Sequence, residues 1–321
     1  MLSIVVPVFN EEESLRELHS RLTAAIPLDE RCEIVLVDDG SRDASWPIMR
    51  DLAAGDPRLR LIRLSRNFGH QAAITAGLAA SRGEAVIVID ADLQDPPELI
   101  PDLVARWHEG FDVVYAVRAK RTGESRFKLA TSSLFYKLLR RISDADITEN
   151  AGDFRLMSRR VVTALGEMPE RSRFLRGMTS WVGYRQTGVE YEREVRFAGE
   201  SKYSTRKMAR LALDGITSFS TVPVRLVAWL GFALVAFCMV VLGWTLYTRF
   251  FTTEATPGWT SLLVVVLLLG GVQLLSLGII GEYVARIFEE TKRRPLYFIA
   301  DVVETLEPTL DEAGPAASRQ L

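Results

Sequence analysis

Cysteine is nearly absent from this chain of 321 residues, which has only Cys32 and Cys238. Two cysteines so far apart exclude the disulfide framework of a small secreted domain and a cysteine-rich metal site. An excess of either charge is also missing, because 39 basic side chains face 41 acidic ones. The balance gives no general affinity for nucleic acid or another polyanion. Any anion-binding site must therefore be local, and a reducing compartment is favoured.

A secretory signal is not found at the amino terminus. Residues 1–8 are apolar but lack the basic region and the long apolar stretch of a signal peptide. We therefore expect the first domain to stay in the cytoplasm.

Two long uncharged runs occur instead near the carboxy terminus, at Leu226 to Thr248 and Trp259 to Gly281. Each is about long enough to cross a ~30 Å hydrocarbon core as a helix, so the sequence predicts two transmembrane helices. Buried core helices are the alternative. The flanking basic residues are Arg206, Lys207, Arg210 and Arg225 before the first run, and Arg286, Lys292, Arg293 and Arg294 after the second. This distribution predicts a multi-pass membrane protein with both termini in the cytoplasm.

Short segments rich in Val and Ile alternate with segments of helical spacing before these runs. The predicted strands are Ile4–Val8, Glu33–Val37, Leu59–Leu64, Val86–Ile89 and Val113–Val117. The predicted helices are residues 12–25, 45–54, 70–81 and 97–109. Strands that are apolar on both faces are typical of a mostly parallel sheet covered by helices. The sequence therefore predicts an α/β nucleotide-binding domain.

The domain organisation follows from these patterns. We expect a cytoplasmic domain over residues 1–205 and an amphipathic segment on the membrane surface over 206–224. A transmembrane hairpin over 225–282 and a cytoplasmic juxtamembrane segment with a tail over 283–321 would follow. An ordinary soluble amphipathic helix is the alternative for 206–224.

Polar residues follow each predicted strand, where open α/β sheets bind their ligands. Asp90 and Asp92 come directly after the fourth strand, with Gln94 close behind. Two carboxylates one residue apart can hold a hard divalent cation, Mg²⁺ or Mn²⁺, which would bridge the diphosphate oxygens of a nucleotide. A solvated Asp-x-Asp loop is the alternative.

Residues after the first two strands suggest a nucleotide site. Asp39 can accept hydrogen bonds from a base or a ribose. Phe9 offers a ring to the base, and Pro7 and Glu11 would form the neighbouring wall. Helix capping by Ser41 or Asp43 is the structural alternative, and it could coexist with this role.

Four motifs resemble, in order and spacing, the family 2 glycosyltransferases with the GT-A fold. They are IVVPVFNE at 4–11, VDDGS at 37–41, RNFG at 66–69 and DADLQDPP at 90–97. GDFRLMS at 152–158, GESKY at 199–203 and GEY at 281–283 resemble the polyisoprenyl-phosphate branch of that family. Within this branch the bactoprenol glucosyltransferase type is most similar, and dolichol-phosphate mannose synthases are related.

The resemblance implies a role for individual residues. The matching positions are Asp90, Asp92 and Gln94 for metal and diphosphate, Pro7, Phe9, Glu11 and Asp39 for the nucleotide, and Arg118 and Arg126 near phosphates. Both arginines belong to a basic segment, 118–128, that would neutralise a lipid phosphate or a diphosphate. A basic loop that contacts lipid headgroups is the alternative.

The resemblance also singles out Asp153 and Arg155, together with Lys202 as a cation that closes over the donor. A phosphate monoester is largely a dianion at pH 7 and gains little from a general base. We therefore expect Asp153 to orient Arg155, Lys202 or the sugar hydroxyls. Base catalysis by Asp153, and a solvent-exposed turn for Lys202, are the alternatives.

The implied activity is an inverting, metal-dependent transfer of a sugar to undecaprenyl or another polyprenyl phosphate, with glucose from UDP-glucose preferred. The product would be a lipid-linked sugar for modification of a cell-envelope glycan. Mannose transfer from GDP-mannose remains open, as does an inactive membrane scaffold or flippase partner. Glycines of the second apolar run would permit self-association.

Overall fold

The computed structural model describes residues 1–27, 30–118, 151–171, 173–191 and 259–304, with scattered helical positions between 227 and 247. Arg126, Lys202, the amphipathic segment 206–224 and the tail after 304 lie outside these residues. The described residues form two compact units. The first contains the described parts of 1–118, 151–191 and 295–304, and the second those of 227–294.

Eight strands of the described residues form one mixed sheet, in the order β7-β5-β6-β4-β1-β2-β3-β8. The strands are β1 (Leu2–Val8), β2 (Cys32–Asp38), β3 (Leu59–Leu64), β4 (Ala85–Val88), β5 (Val113–Arg118), β6 (Ala151–Ser158), β7 (Gln186–Tyr191) and β8 (Ile299–Glu304). Strands β1 to β5 confirm the five predicted from sequence. Strands β6, β7 and β8 were not predicted.

Helices lie between the strands. They are α1 (Leu15–Ala25), α2 (Ser45–Gly55), α3 (His70–Ala80), α4 (Ile100–His108), α5 (Arg159–Glu167) and α6 (Leu175–Trp181), with a 3₁₀ turn at Pro97–Leu99 before α4. Helix α1 begins three residues later than predicted. The carboxylate of Glu12 instead accepts the backbone N–H of Ala44 at 2.8 Å, and so joins two loops.

The central strand β1 is covered on both faces. Ile4, Val5 and Val6 are each 0% exposed, and successive side chains of a strand point to opposite faces. Helix α3 approaches closely because Gly77 has no side chain, and a Cβ at this position would lie 2.2 Å from Cγ1 of Val5. The buried sheet predicted from the Val and Ile content is confirmed.

Strand directions decide which residues meet. Strands β1, β2, β3 and β4 are mutually parallel along the sheet. Strand β6 runs antiparallel to both β4 and β5, so β5 points the same way as β4. The carboxyl ends of β1 to β5 therefore share one edge with the amino end of β6.

The second unit contains one long apolar helix, α7 (Trp259–Thr291). Its part from Leu268 to Thr291 is long and apolar enough to cross a membrane, and it is the one such helix within the described residues. The helix continues ten residues past the predicted run, where Glu282 pairs with Arg286 at 3.1 Å, one turn apart. The other predicted run is described only in part, with helix at 229–234.

Candidate active site

Asp90 follows β4 at the carboxyl edge of the sheet. The Asp90 side chain is 30% exposed, but its Oδ1 is buried and accepts no hydrogen bond from any described residue. Burial raises the pKa of Asp90 to about 6; the charge of His70 opposes the rise, and nearby carboxylates add to it. A buried carboxylate oxygen without a hydrogen bond is costly. The position therefore suits a bound cation.

The turn after Asp90 sets the geometry of the next two polar residues. Leu93 has a φ of 57°, a left-handed conformation that a leucine rarely adopts, and it is 1% exposed. Oδ1 of Asp92 accepts the backbone N–H of Gln94 at 3.1 Å. Strained residues of this kind cluster at functional sites.

A divalent cation fits this donor set. Magnesium is usually held by one or two carboxylates together with substrate phosphates. The described part of the chain has no group of three or more His, Cys, Asp or Glu side chains that could hold a metal by itself. Asp90 and Asp92 would thus form a partial site, which the amide oxygen of Gln94 and phosphate oxygens would complete. These metal ligands remain a prediction.

Strand β6 brings Asp153 to the same edge. Oδ1 of Asp153 accepts a hydrogen bond from Nε of Arg176 at 2.8 Å, and Oδ2 accepts one from Nη2 at 3.1 Å. His70 Nε2 lies 3.2 Å from Oδ2 of Asp153 and 3.5 Å from Oδ1 of Asp90. His70 therefore lies between the two carboxylates, while Arg176 holds Asp153 in a fork.

These contacts decide the charges of the group. Burial raises the pKa of Asp153, but Arg176 and His70 outweigh it and hold that pKa well below its usual range. Burial lowers the pKa of His70, but its hydrogen bond to Asp153 and the charge of Asp90 raise it to about 9. Asp153 is thus a carboxylate at neutral pH, and one held in this way is a weak base.

Arg155 lies inside the fold. It is 4% exposed, and it donates hydrogen bonds to the hydroxyl of Thr179 and, at 2.7 Å, to the carbonyl of Gly152. Burial lowers the pKa of Arg155 to about 10. The Asp153 carboxylate contacts Arg176 and His70, whereas Arg155, Lys202 or the sugar hydroxyls were the expected partners, of which Lys202 lies outside the described residues. A catalytic role for Arg155 remains a prediction, and its contacts tie β6 to α6.

Arg118 ends β5 at this edge. Its Nε donates to the hydroxyl of Tyr191 at 3.2 Å, and its Nη2 lies 3.7 Å from Oδ1 of Asp95. The Tyr191 hydroxyl in turn donates to Asp95, which is 1% exposed. Arg118 is therefore held beside the site, and its contact with a phosphate remains a prediction.

Asp39 shapes a neighbouring loop. Its two carboxylate oxygens accept the backbone N–H groups of Phe68 at 2.7 Å and Gly69 at 2.9 Å. Burial raises the pKa of Asp39, and these two N–H groups oppose the rise. The side chain is 2% exposed, so it braces loop 65–69 in this structure. Its contact with a nucleotide remains a prediction.

The residues predicted beside Asp39 lie at the same edge. Pro7 is buried within β1, and Phe9 and Glu11 are half-buried after it. The Glu11 backbone N–H donates to Oγ of Ser45 at 2.9 Å. Ser41 Oγ accepts the backbone N–H of Asn10 at 3.0 Å and so joins the first two strand ends. The nucleotide contacts of these residues remain predictions.

His70 and Arg176 were not among the candidates from sequence. A signal for His70 existed, because it directly follows the Arg66 to Gly69 motif and begins a predicted helix. Arg176 carried no such signal, because only the folding of α6 beside β6 brings it to Asp153.

Comparison with known proteins identifies the family of this chain. The profile of Glycosyl transferase family 2 matches residues 3–166, and that of the GtrB C-terminal hairpin matches 222–287. An uncharacterized glycosyltransferase of Bacillus subtilis is 48% identical over 298 residues, 92% of each chain. The bactoprenol glucosyl transferase of Shigella phage SfV is 44% identical over 93% of this chain and 97% of that protein. A solved structure of glucosyl-3-phosphoglycerate synthase from Mycobacterium tuberculosis with Mn²⁺, UDP and glucosyl-3-phosphoglycerate has a TM-score of 0.46 and 19% identity, over 68% of this chain and 77% of that one.

The family match covers about half of the chain, and the relatives cover nearly all of it. The chain therefore belongs to glycosyl transferase family 2, and it is a glycosyltransferase similar to the bactoprenol glucosyl transferases over most of its length.

Proposed function

We propose that this protein transfers glucose from UDP-glucose to undecaprenyl phosphate, with inversion at the anomeric carbon. The observation that carries the proposal is that Oδ1 of Asp90 is buried and accepts no hydrogen bond within the described residues. Asp92 follows two residues later, so the two carboxylates could hold a divalent cation together. The similarity to bactoprenol glucosyl transferases supports the choice of sugar and lipid. A metal-dependent donor site would thus lie beside the cations His70 and Arg176.

The reaction needs no base. An oxygen of the acceptor phosphate would attack C1 of the sugar, the bond from C1 to the diphosphate oxygen would break, and its electron pair would leave with the nucleoside diphosphate. A phosphate monoester has a second pKa of about 6 and brings an unprotonated oxygen at pH 7. The low pKa of Asp153 is in keeping with an orienting role.

The chemistry then rests on position and charge. Asp90, Asp92 and Gln94 would hold Mg²⁺ or Mn²⁺, which when bound supplies neutralisation of the charge that develops on the leaving diphosphate. Arg118 would contribute a fixed positive charge at the same edge. Rate enhancement would come mainly from positioning and from these preorganised charges.

The membrane part fits this acceptor. The hairpin match over 222–287, the helix α7 and the uncharged run before it support a two-helix hairpin. The basic flanks support a catalytic domain and both termini in the cytoplasm, at the plasma membrane. A polyprenyl phosphate keeps its chain in the lipid and its phosphate at the headgroup level, so an anchored enzyme stays beside its acceptor.

A donor panel tests the proposal. The full-length protein in lipid nanodiscs with undecaprenyl phosphate is given radiolabelled UDP-glucose, UDP-N-acetylhexosamine or GDP-mannose, with and without Mn²⁺ or Mg²⁺. We expect labelled lipid from UDP-glucose only, and only with metal. Label from GDP-mannose alone would assign the protein as a mannose synthase. An absence of transfer from every donor would refute the proposal.

A variant pair tests the site. Asp92→Asn should lower glucose transfer at least about 100-fold, since a preorganised electrostatic contact contributes several kcal/mol to a barrier. The control Asp51→Asn changes a side chain that is 70% exposed on α2, and it should leave the rate unchanged. Substantial turnover by Asp92→Asn would contradict the role in metal binding.

A further inference from the structure

Arg176 is a half-exposed cation at the active-site edge that the reaction as described does not use. It lies in the first turn of α6, and its side chain is 34% exposed. Two of its nitrogens engage the two oxygens of Asp153, which is itself buried. The fork on Asp153 fixes the plane of the guanidinium, and a guanidinium carries five N–H donors in one rigid plane that suits phosphate as well as carboxylate.

The backbone that carries Arg176 is also anchored. The N–H of Leu175 donates to Oε1 of Gln71 in the first turn of α3, at 3.1 Å. Arg173 donates to the carbonyls of Leu165 at 3.1 Å and Met168 at 2.6 Å, and so ties the segment to the end of α5. Arg176 is therefore positioned before any ligand arrives, which lowers the entropic cost of binding.

Arg176 belongs to a group of cations that also includes His70, Arg118 and Arg155. The charge of Arg176 opposes protonation of His70, Arg118 and Arg155, so each of these three cations lies within its electrostatic reach. Cations held this close favour an anion between them. The metal of the donor would bind Asp90 and Asp92. The cation beside Asp153, Arg176, would then lie where a second anion can bind.

The distances place that end next to the donor site. Arg176 contacts Asp153 at 2.8 Å, Asp153 contacts His70 at 3.2 Å, and His70 lies 3.5 Å from Asp90. We propose that Arg176, oriented by Asp153, binds the phosphate of the lipid acceptor. Arg176 is then an acceptor-binding residue, and Asp153 is a positioning residue. The inference rests on the proposed function, and it assigns the acceptor phosphate to Arg176, a residue that the sequence did not indicate.

Steady-state kinetics of the full-length protein in nanodiscs test this assignment. Initial rates are measured with varied undecaprenyl phosphate at saturating UDP-glucose, and with the roles reversed. We expect Arg176→Gln to raise the KM for undecaprenyl phosphate at least about tenfold, the effect of losing one hydrogen bond to a charged group. Arg176→Lys keeps the charge without the fork, so its KM should be intermediate. Asp153→Asn should act in the same direction, because it releases the guanidinium.

Donor binding separates this role from a structural one. The Kd for UDP, measured by calorimetry with Mn²⁺, and the KM for UDP-glucose should stay within about twofold of wild type. The control Arg106→Gln changes an arginine paired with Glu109 on the surface, and it should leave both KM values unchanged. Thermal unfolding of each variant shows whether it is folded. If Arg176→Gln does not fold, the KM of Arg176→Lys for undecaprenyl phosphate tests the inference.

Two outcomes would overturn the inference. An unchanged KM for the acceptor in Arg176→Lys and Arg176→Gln would show that the guanidinium does not bind the lipid phosphate. A rise confined to UDP-glucose, or equal for both substrates, would assign Arg176 to the donor diphosphate. Both outcomes presuppose an active wild-type protein, whereas a wild type that transfers sugar to no prenyl phosphate would refute the proposed function itself.

Discussion

Gly40 is the position where one added methyl group should disturb the active-site edge most directly. It has a φ of +71°, and a Cβ there would lie 2.6 Å from the carbonyl carbon of Arg66 and 2.7 Å from the backbone nitrogen of Asn67. Both atoms belong to loop 65–69, which Asp39 holds through two N–H groups. Gly40→Ala must therefore push this loop away from the end of β2, and the loop leads directly into His70.

The cost can be estimated from two effects. An alanine in the left-handed region costs roughly 1–2 kcal/mol. Forcing a methyl group against a backbone that cannot rotate away costs roughly 1–3 kcal/mol more. We therefore expect a loss of about 2–5 kcal/mol in the free energy of unfolding. For a unit of this size, each kcal/mol corresponds to about 2–4 °C, so Tm should fall by roughly 4–20 °C.

Thermal unfolding of the full-length protein in detergent measures the change, and calorimetric UDP binding reports on the loop. Gly166→Ala is a matched control, because it lies in α5 and nothing lies within 4 Å of its added Cβ. The control should be neutral or stabilising by up to about 1 kcal/mol, as is usual for Gly→Ala in a helix. If Gly40→Ala unfolds within about 1 °C of wild type and binds UDP equally well, the proposed contact between the two loops is wrong.

Three further predictions follow from other contacts. Asp90→Asn removes a buried charge, so the Tm without metal should stay the same or rise. The same change should abolish the stabilisation by Mn²⁺ and lower the rate of glucose transfer at least about 100-fold. Phe298→Ala removes a ring 6.2 Å from that of Phe68, a contact of about 0.5–1.5 kcal/mol, so UDP binding should weaken about 2–10-fold through loop 65–69. The hydrogen bond from Arg58 lowers the pKa of Asp56 in the folded state. Asp56→Asn should therefore lower the free energy of unfolding by about 1–2 kcal/mol at pH 7. The Tm difference from wild type should shrink as pH falls below about 4, where Asp56 of the unfolded wild-type chain becomes protonated.

Each of these has a control or an opposing result. For Phe298→Ala the control is Val302→Ala, which shortens another exposed apolar side chain of the same segment and should leave UDP binding unchanged. For Asp90→Asn, retention of Mn²⁺-dependent stabilisation would show that the ion binds elsewhere. For Asp56→Asn, a deficit that stays constant down to about pH 3 would show that ionisation of Asp56 is not its source.

Local patterns in the sequence were enough for the first half of the sheet. Strands β1 to β5 are short runs of Val, Ile and Leu between helical segments, so a periodicity of a few residues identifies them. The same reasoning placed Asp39 and Asp90 at strand ends, because parallel strands carry their ligands at the carboxyl edge. The apolar part of α7 was also recognisable, because the uncharged run Trp259 to Gly281 needs no distant partner to form a helix, whereas the last ten residues of the helix were not predicted.

Tertiary structure decided the rest. Strand β6 contains Asp153 and Arg155, which interrupt the apolar pattern, and it becomes a strand by pairing with β4 and β5. Strand β8 pairs with β3, with Glu304 opposite Arg60, so the sheet is completed by residues that follow the long helix. A truncation after residue 220 would therefore remove part of the sheet together with the hairpin, and it would not test membrane attachment alone.

The environment of Asp153 shows the same limit at the site. Its partners His70 and Arg176 lie 83 and 23 residues away in sequence. Residue type and local spacing determined the strands, the long helix and the polar character of the strand ends, because these depend on neighbours along the chain. The order of the sheet and the packing of α3 and α6 decided which charges meet, because such contacts form only when the chain has closed on itself.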